Sequence, residues 1–431
     1  HLHRPVIETL YGRGLRVRPS HSEVTGNRGD GVSERGEAAH RRGGVLEVLW
    51  IFLKLGCTSF GGPVAHLGYF RSAFVERRQW LSEAAYADLV ALCQFLPGPA
   101  SSQVGFGIGL GRAGIPGALA AWVGFTLPSA VLMLAFALGV GAVGDALGGG
   151  WIAGLKLAAV AVVANALVGM ARSLCPDRQR ATFAVAALAV VVALPGVWGQ
   201  VGAILAAGLA GRLFLTAQAA ASERGELPVA VGRTTAIVCL GLFVALLAGL
   251  PLLAALGQSQ AVALLDAFYR AGALVFGGGH VVLPLLQAEV VPTGLVDAET
   301  FLAGYGAAQA VPGPLFTFAA FLGGAAGGVG ASLLALSAIF LPGCLLVIGT
   351  LPFWAELRRR SDMRAALMGV NAGVVGLLAA AFYDPVWTSA VHRPADFAVA
   401  AGAFLLLAVW KVSPVIVVVL GALAGIALGA G

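Results

Sequence analysis

The chain has 431 residues, of which 58% are apolar (AVILMFWYC) and 11% charged, with a formal net charge of +6. A water-soluble domain carries about 25% charged residues, so the solvating surface of a cytosolic enzyme, a disordered chain or a secreted disulfide scaffold is missing. Separate apolar stretches, many near the roughly 20 residues that cross a bilayer as a helix, predict an all-α polytopic membrane protein. Only Lys54, Lys156 and Lys411 are lysines. The arginines sit mostly in loops and read as topology signals, and no basic patch points to nucleic acid.

Residues 1–44 are rich in Arg, Glu, Gly and Ser and lack an apolar period. They predict a disordered basic tail and carry no signal-peptide pattern. Arg35, Arg41 and Arg42, just before the first apolar run, favour a cytoplasmic N-terminus. Six apolar elements follow, near 45–70, 84–110, 114–142, 151–172, 181–197 and 199–217. A linking span lies near 234–256, and six more elements lie near 262–290, 299–325, 328–353, 365–382, 396–410 and 412–430.

The second six repeat the first. Phe60-Gly61-Gly62 recurs as Phe276-Gly277-Gly278, and Pro97-Gly98-Pro99 as Pro312-Gly313-Pro314. The FGG-to-PGP spacing is 37 residues in one copy and 36 in the other. Pro128 and Pro342 follow at equivalent distances, and FAVAA recurs at 183–187 and 397–401. Four markers in one order define two homologous domains, 45–218 and 262–431, joined by a linker at 219–261 with one apolar span. FGG and PGP interrupt the first two elements of each half, because Pro removes a donor and Gly weakens a helix. Ten to thirteen crossings are expected. With the loops Arg172–Arg180, Arg212–Arg233 and Arg358–Arg364 in the cytoplasm, the linking span makes the halves inverted repeats. The basic loop Arg71–Arg78 departs from that scheme.

Paired broken helices at matching places point to a transporter site near the midplane. A break exposes N–H groups that attract an anion, and glycine lets an oxyanion approach the backbone. Gly61, Gly62, Gly98, Gly277, Gly278 and Gly313 are therefore candidate binding positions. Lys54 and Arg270 each lie six residues before their FGG, in FLKLGCTSFGG and FYRAGALVFGG. They suggest two cations facing one doubly negative ligand. Gln94 and Gln309, each three residues before PGP, together with Ser101, Ser102 and Gln103 after the first PGP, offer uncharged donors. Asn371, Asn165 and Lys156 lie in the fourth elements, and Lys156 has no symmetric mate.

His66 and His280 follow the two FGG triplets without aligning with each other and are candidates for a coupled proton, against a structural role. Glu76, Glu83, Glu289, Asp297 and Glu299 read chiefly as loop solvation, and Arg71, Arg77 and Arg78 as a candidate funnel for anions. The five cysteines are scattered, with no C-x-x-C or H-x-x-H, so no metal, cofactor or disulfide is expected. No H-E-x-x-H, G-x-S-x-G or paired Asp within a span supports an enzyme.

The strings TSFGGPVAHLGYFR (58–71), FVERRQWL (74–81), ALCQFLPGPASSQVGF (91–106) and GFTLPSA (124–130) resemble the chromate ion transporter family. FGGGHVVLP (276–284) and AQAVPGP (308–314) resemble its second domain. The resemblance covers about 45–431. It implies an inner-membrane carrier that exports chromate, driven by the membrane potential or proton-motive force and conferring chromate resistance, with sulfate as an interfering isostere. A sulfate or other oxyanion carrier and an anion channel remain the alternatives, and a homo-oligomer stays open.

Overall fold

In lipid, a chain can satisfy its backbone only within helices or against other protein, and the apolar runs do form helices. The computed structural model describes residues 44–147, 150–216, 231–257, 259–276, 281–357 and 360–428. The first half supplies α1 (Val45–Thr58), α2 (Gly62–Phe70), α3 (Glu83–Phe95), α4 (Ala100–Leu147), α5 (Gly150–Leu174), α6 (Arg178–Ala193) and α7 (Val197–Phe214). The linker carries α8 (Arg233–Leu256). The second half repeats the series with α9 (Gln260–Leu274), α10 (Val282–Val290), α11 (Ala298–Ala308), α12 (Phe318–Thr350), α13 (Ser361–Ala381), α14 (Pro394–Ala408) and α15 (Pro414–Ala427). No strand occurs among the described residues. The expected tail at 1–43 lies outside them.

The repeat extends to helix caps. The Ser82 side chain accepts from Ala85 N at the start of α3, and Asp297 accepts from Thr300 N at the start of α11. Each stands fifteen residues before its PGP, and each satisfies a donor that the first helical turn leaves open.

Five described stretches are long and apolar enough to cross a membrane: Ala100–Gly139, Gly150–Leu174, Arg233–Leu256, Leu315–Leu357 and Ser361–Trp387. The first and fourth are not straight. α4 turns back at Ala113 and Gly114, and α12 at Gly327 and Gly328. Gly114 (φ 66°) and Gly328 (φ 71°) take the left-handed conformation that glycine alone adopts cheaply. Gly109 packs on the backbone of Gly117, eight residues on, and Gly323 packs on Ala331. In a straight helix such residues would be about 12 Å apart, so both elements are helical hairpins. Ser332 Oγ closes the second by donating to Ala320 O at 2.8 Å.

Within each half, the first helix lies along the hairpin, α1 on α4 and α9 on α12. Gly56 faces the carbonyls of Gly124 and Phe125, and Gly272 faces that of Ile339. Between the halves the packing is exchanged. α5 packs against α14 and α15, α13 packs against α6 and α7, and the two hairpins meet each other. Small residues let these backbones close up. Gly154 lies against Gly421, Gly425 against Gly150, Gly369 against Ala207 and Gly211, and Gly376 against Ala184. With little hydrophobic drive between helices in lipid, close van der Waals approach at such positions supplies the association. Phe136 stacks on Phe321 at 5.3 Å across the hairpin contact. α8 touches α9 and α12 and turns Ile237, Val238, Leu252, Leu253 and Leu256 outward, as a lipid-facing helix does.

Gly154→Val should overpack the α5–α15 contact at a cost of about 1–3 kcal/mol, lowering the melting temperature in detergent. Gly169→Ala, on the same helix with no atom within 4 Å of the added carbon, should leave it unchanged. Equal melting temperatures for the two variants would show that the glycine contact does not hold the halves together.

Candidate functional site

The four helix breaks converge. α1 ends at Thr58, and Gly61 (φ 99°) and Gly62 (φ 76°) turn the chain through two left-handed residues at the start of α2, with Pro63 in its first turn. The carbonyl of Ser59 is left without a helical partner, and Gly313 N–H of the second PGP donates to it at 2.9 Å. The other half mirrors this bond. Gly98 N–H of the first PGP donates to Val275 O at 2.7 Å. Ser59 and Val275 each directly precede their FGG, and Gly98 and Gly313 are each the centre of their PGP. Each half therefore closes the break of the other through a pseudo-two-fold exchange.

The second arms of the hairpins back the loops, again across the halves. A Cβ on Gly98 (φ 120°) would stand 2.9 Å from Gln103 Nε2 and 3.3 Å from Gly343 Cα. A Cβ on Gly313 (φ 95°) would stand 2.9 Å from Ser129 Oγ and 3.3 Å from Phe125 O. Gly343 and Ser129 are equivalent residues, each following the hairpin proline, Pro342 or Pro128.

The chemistry at this crossing is not symmetric. The first half lines it with Ser59, His66, Ser101, Ser102, Gln103, Thr126 and Ser129, each at most 5% exposed. The equivalent positions of the second half are Val275, Val282, Phe316, Thr317, Phe318, Phe340 and Gly343. His66 Nε2 lies 3.2 Å from Ser59 O, and Nδ1 lies 3.3 Å from Ser101 Oγ. A carbonyl only accepts, so this network assigns the proton to Nε2 and leaves Nδ1 to accept from the serine hydroxyl. The ring also stands edge-on to Phe125, centroids 5.2 Å apart. Ser129 Oγ donates to Thr126 O, and Gln103 Nε2 donates to Pro97 O at 2.9 Å. Ser59 Oγ, Ser102 Oγ, Thr126 Oγ1 and Gln103 Oε1 are buried with no hydrogen-bond partner among the described residues. An unmade bond of this kind costs about 1–3 kcal/mol, and the second half shows that the same packing is built without these groups. The crossing thus holds hydroxyl, amide and helix-terminal N–H groups, which together suit a small oxyanion.

Of the residues nominated by sequence, the crossing brings together Gly61, Gly62, Gly98, Gly313, Ser101, Ser102 and His66. Gly277, Gly278 and His280 lie outside the described residues. Lys54 and Arg270 have unlike surroundings. Lys54 is exposed with Nζ 5.1 Å from the Trp50 ring centre, whereas Arg270 is ion-paired with Asp266 and Glu289. Gln94 is exposed, while Gln309 is half-buried with Nε2 lacking a hydrogen-bond partner among the described residues. Asn371 is half-buried on α13. Lys156 is buried and reaches Glu299 Oε1 at 3.3 Å, tying α5 to α11. Arg71 pairs with Glu76 and Glu83 at 2.6 and 2.8 Å, and its hydrogen bond holds the Glu83 carboxyl below the usual carboxylate range. Glu289, expected in a solvated loop, is buried instead, because α10 continues past it. Ser59, Thr126 and Ser129 were not singled out in the sequence. Their signal is a hydroxyl in an apolar helix whose repeat partner is Val, Phe or Gly.

The family model described as chromate transporter matches residues 46–212 and 262–426. The chain belongs to the chromate transporter family. It is 28% identical over 385 residues to a chromate transport protein of Pseudomonas aeruginosa, covering 87% of this chain and 90% of that one. It is 27% identical over 388 residues to a chromate transport protein of Cupriavidus metallidurans, covering 88% and 92%. A probable chromate transport protein of Synechococcus elongatus is 27% identical over 397 residues, covering 87% and 93%. No solved structure matches. The chain is thus a multi-pass membrane protein of a transporter family, with two homologous halves.

The unpartnered hydroxyls separate binding from folding. Ser59→Ala, Ser102→Ala and Thr126→Val remove no hydrogen bond from the fold and should leave the melting temperature unchanged or slightly raised. Each loses a donor to a charged ligand, worth about 1.5–3 kcal/mol, so KM for the transported anion should rise about tenfold or more. Unchanged KM in all three, measured in proteoliposomes, would move the site elsewhere.

Proposed function

We propose that this protein exports chromate across the bacterial inner membrane and so confers chromate resistance. The observation that carries the reading is the crossing of the broken helices, where buried donors without partners converge on breaks closed by opposite halves. Chromate is a small tetrahedral dianion with four acceptor oxygens. Backbone N–H groups at Gly61 and Gly62, with the unpartnered hydroxyls of Ser59, Ser102 and Thr126, can replace its hydration shell, and Gly98 and Gly313 N–H can join them only by leaving Val275 O and Ser59 O. Strong acceptors of this kind gain most from donors pre-oriented in a dry site. The names of the relatives in Pseudomonas and Cupriavidus supply chromate as the anion, and sulfate shares its shape and charge.

The membrane potential suffices as a driving force. Each charge moved across 100 mV is worth about 2.3 kcal/mol, so a dianion leaving an inside-negative cell gains about 4.6 kcal/mol. A proton moving inward on each cycle adds to this in the same direction.

The test uses everted membrane vesicles, in which export appears as uptake. Radiolabelled chromate uptake should require the protein, fall with excess sulfate and collapse with an uncoupler. Sulfate accumulation without chromate uptake would keep the site and overturn the substrate. Currents far above carrier turnover under voltage steps would overturn the carrier in favour of a channel.

A further inference from the structure

An ion cluster in the second half makes none of the hydrogen bonds described at the binding crossing. Asp266 and Arg270 stand one turn apart on α9, before the second break, and Glu289 stands on α10, after it. The Arg270 guanidinium pairs with Asp266, and its Nε lies 3.1 Å from Glu289 Oε1. The two carboxylates are 6% and 8% exposed. One cation therefore serves two buried anions. In surroundings of low dielectric a second, uncompensated carboxylate is far more costly than the neutral acid. Ionisable groups inside membrane segments mark ion and proton pathways for that reason.

The first half is an internal control. Its equivalents of Asp266, Arg270 and Glu289 are Trp50, Lys54 and Ala73. There the cation is exposed over its tryptophan, yet α1 lies on its hairpin as α9 does on the other. The fold therefore does not require the carboxylates.

Their position matters as much as their charge. Arg270 and Glu289 join the two arms of a broken element across its break. The first break is spanned by a different titratable group, with His66 on α2 bonded to the carbonyl that ends α1. Both ring nitrogens of His66 are occupied, by Ser59 O and Ser101 Oγ. The remaining charged groups on helices packed against α10 are accounted for. On α11, Glu299 pairs with Lys156, and Asp297 caps its own helix. Asp362 of α13 pairs with Arg212 of α7 at 3.4 Å, and Arg364 stands one turn from the α13 N-terminus. Among the described residues, Arg270 and Asp266 are the charged groups that interact with Glu289.

We propose that Glu289 carries a proton inward as the dianion moves outward, binding it from the outer side and releasing it to the cytoplasm against Arg270. This rests on the export reading above. The step forms and breaks one O–H bond and involves no redox change. With Glu289 protonated, Arg270 keeps Asp266 as its counter-ion, and the strut across the break weakens. Each cycle then reads a proton as a change in the stiffness of the second break.

The experiment follows lumenal pH in everted vesicles acidified by ATP hydrolysis, using a fluorescent amine and whichever anion, chromate or sulfate, the vesicles accumulate. In the wild type, adding the anion should raise lumenal pH as protons leave. In Glu289→Gln, uptake driven by the potential should persist, while the pH rise falls at least tenfold. A pH rise of wild-type size in an active Glu289→Gln would overturn the proposal. Should that variant not fold, infrared spectra of the purified wild type and Asp266→Asn decide without any substrate. A buried neutral carboxylic acid band at neutral pH in the wild type, lost when Arg270 has one carboxylate to serve, supports it. No such band, or a band unchanged in Asp266→Asn, overturns it. Vesicles that accumulate neither anion would sink the export reading while the infrared result still stands for the proton.

Discussion

Two backbone hydrogen bonds, Gly98 N–H to Val275 O and Gly313 N–H to Ser59 O, set the terms for the rest of the molecule. A helix broken inside a bilayer strands donors and acceptors where water cannot reach, at several kcal/mol for each group. Neither half supplies a backbone donor for its own break, although His66 Nε2 also reaches Ser59 O from within the first half. Each carbonyl before an FGG is met by the N–H at the centre of the other half's PGP, so the halves must interlock before both backbone bonds are made. The wider packing follows the same rule. The hairpin proline region of one half backs the loop of the other, and α5 and α13 leave their own halves to pack against the last two helices opposite. Glycine recurs along these contacts because the backbones meet there without side chains between them.

Duplication makes the divergence of the halves informative. Ser59, His66, Ser101, Gln103 and Thr126 face Val275, Val282, Phe316, Phe318 and Phe340 as their repeat partners. Since the packing survives with either set, the polar set answers to something other than packing. The reverse holds outside the crossing, where the second half has Asp266 and Glu289 against Trp50 and Ala73. One half has become polar at the centre and the other ionic at the strut. An arrangement symmetric in its backbone thus presents one asymmetric polar wall rather than two equal ones.

Much of this was legible in the sequence, for physical reasons that also mark its limits. Gly61, Gly98 and Gly313 could be singled out because left-handed conformations and close backbone approach demand glycine, and PGP admits no continuous helix. The two halves were legible because their markers keep order and spacing, and the family match falls on both. Which half closes which break was not legible, since that pairing depends on how distant helices dock and leaves no local pattern. Lys54 and Arg270 looked equivalent by register, yet their surroundings are decided by residues four before and a dozen or more after them. The Asp266–Arg270 spacing of one turn was a readable sign of an ion pair. Glu289 read as loop solvation because Asp297 and Glu299 follow closely, although it falls within the apolar element near 262–290 and is buried in α10.

Movement around a bound ion must come from the parts that resist it least. The contacts of α5 with α15 and of α13 with α7 are backbone against backbone, and sliding them would drive atoms together in a close-packed interior. The hairpins are fixed at their tips by glycine turns and packed along their length. The breaks are different. They are short, the first has its dihedrals at Gly61 and Gly62, which tolerate change, and among the described residues a titratable side chain reaches across each, His66 in one half and Glu289 in the other. A ligand held by the N–H groups at the crossing competes for the same groups that tie the two halves together. Binding and hinge bending are in this way written on the same few atoms, and a carrier needs that coincidence if occupancy is to change its shape.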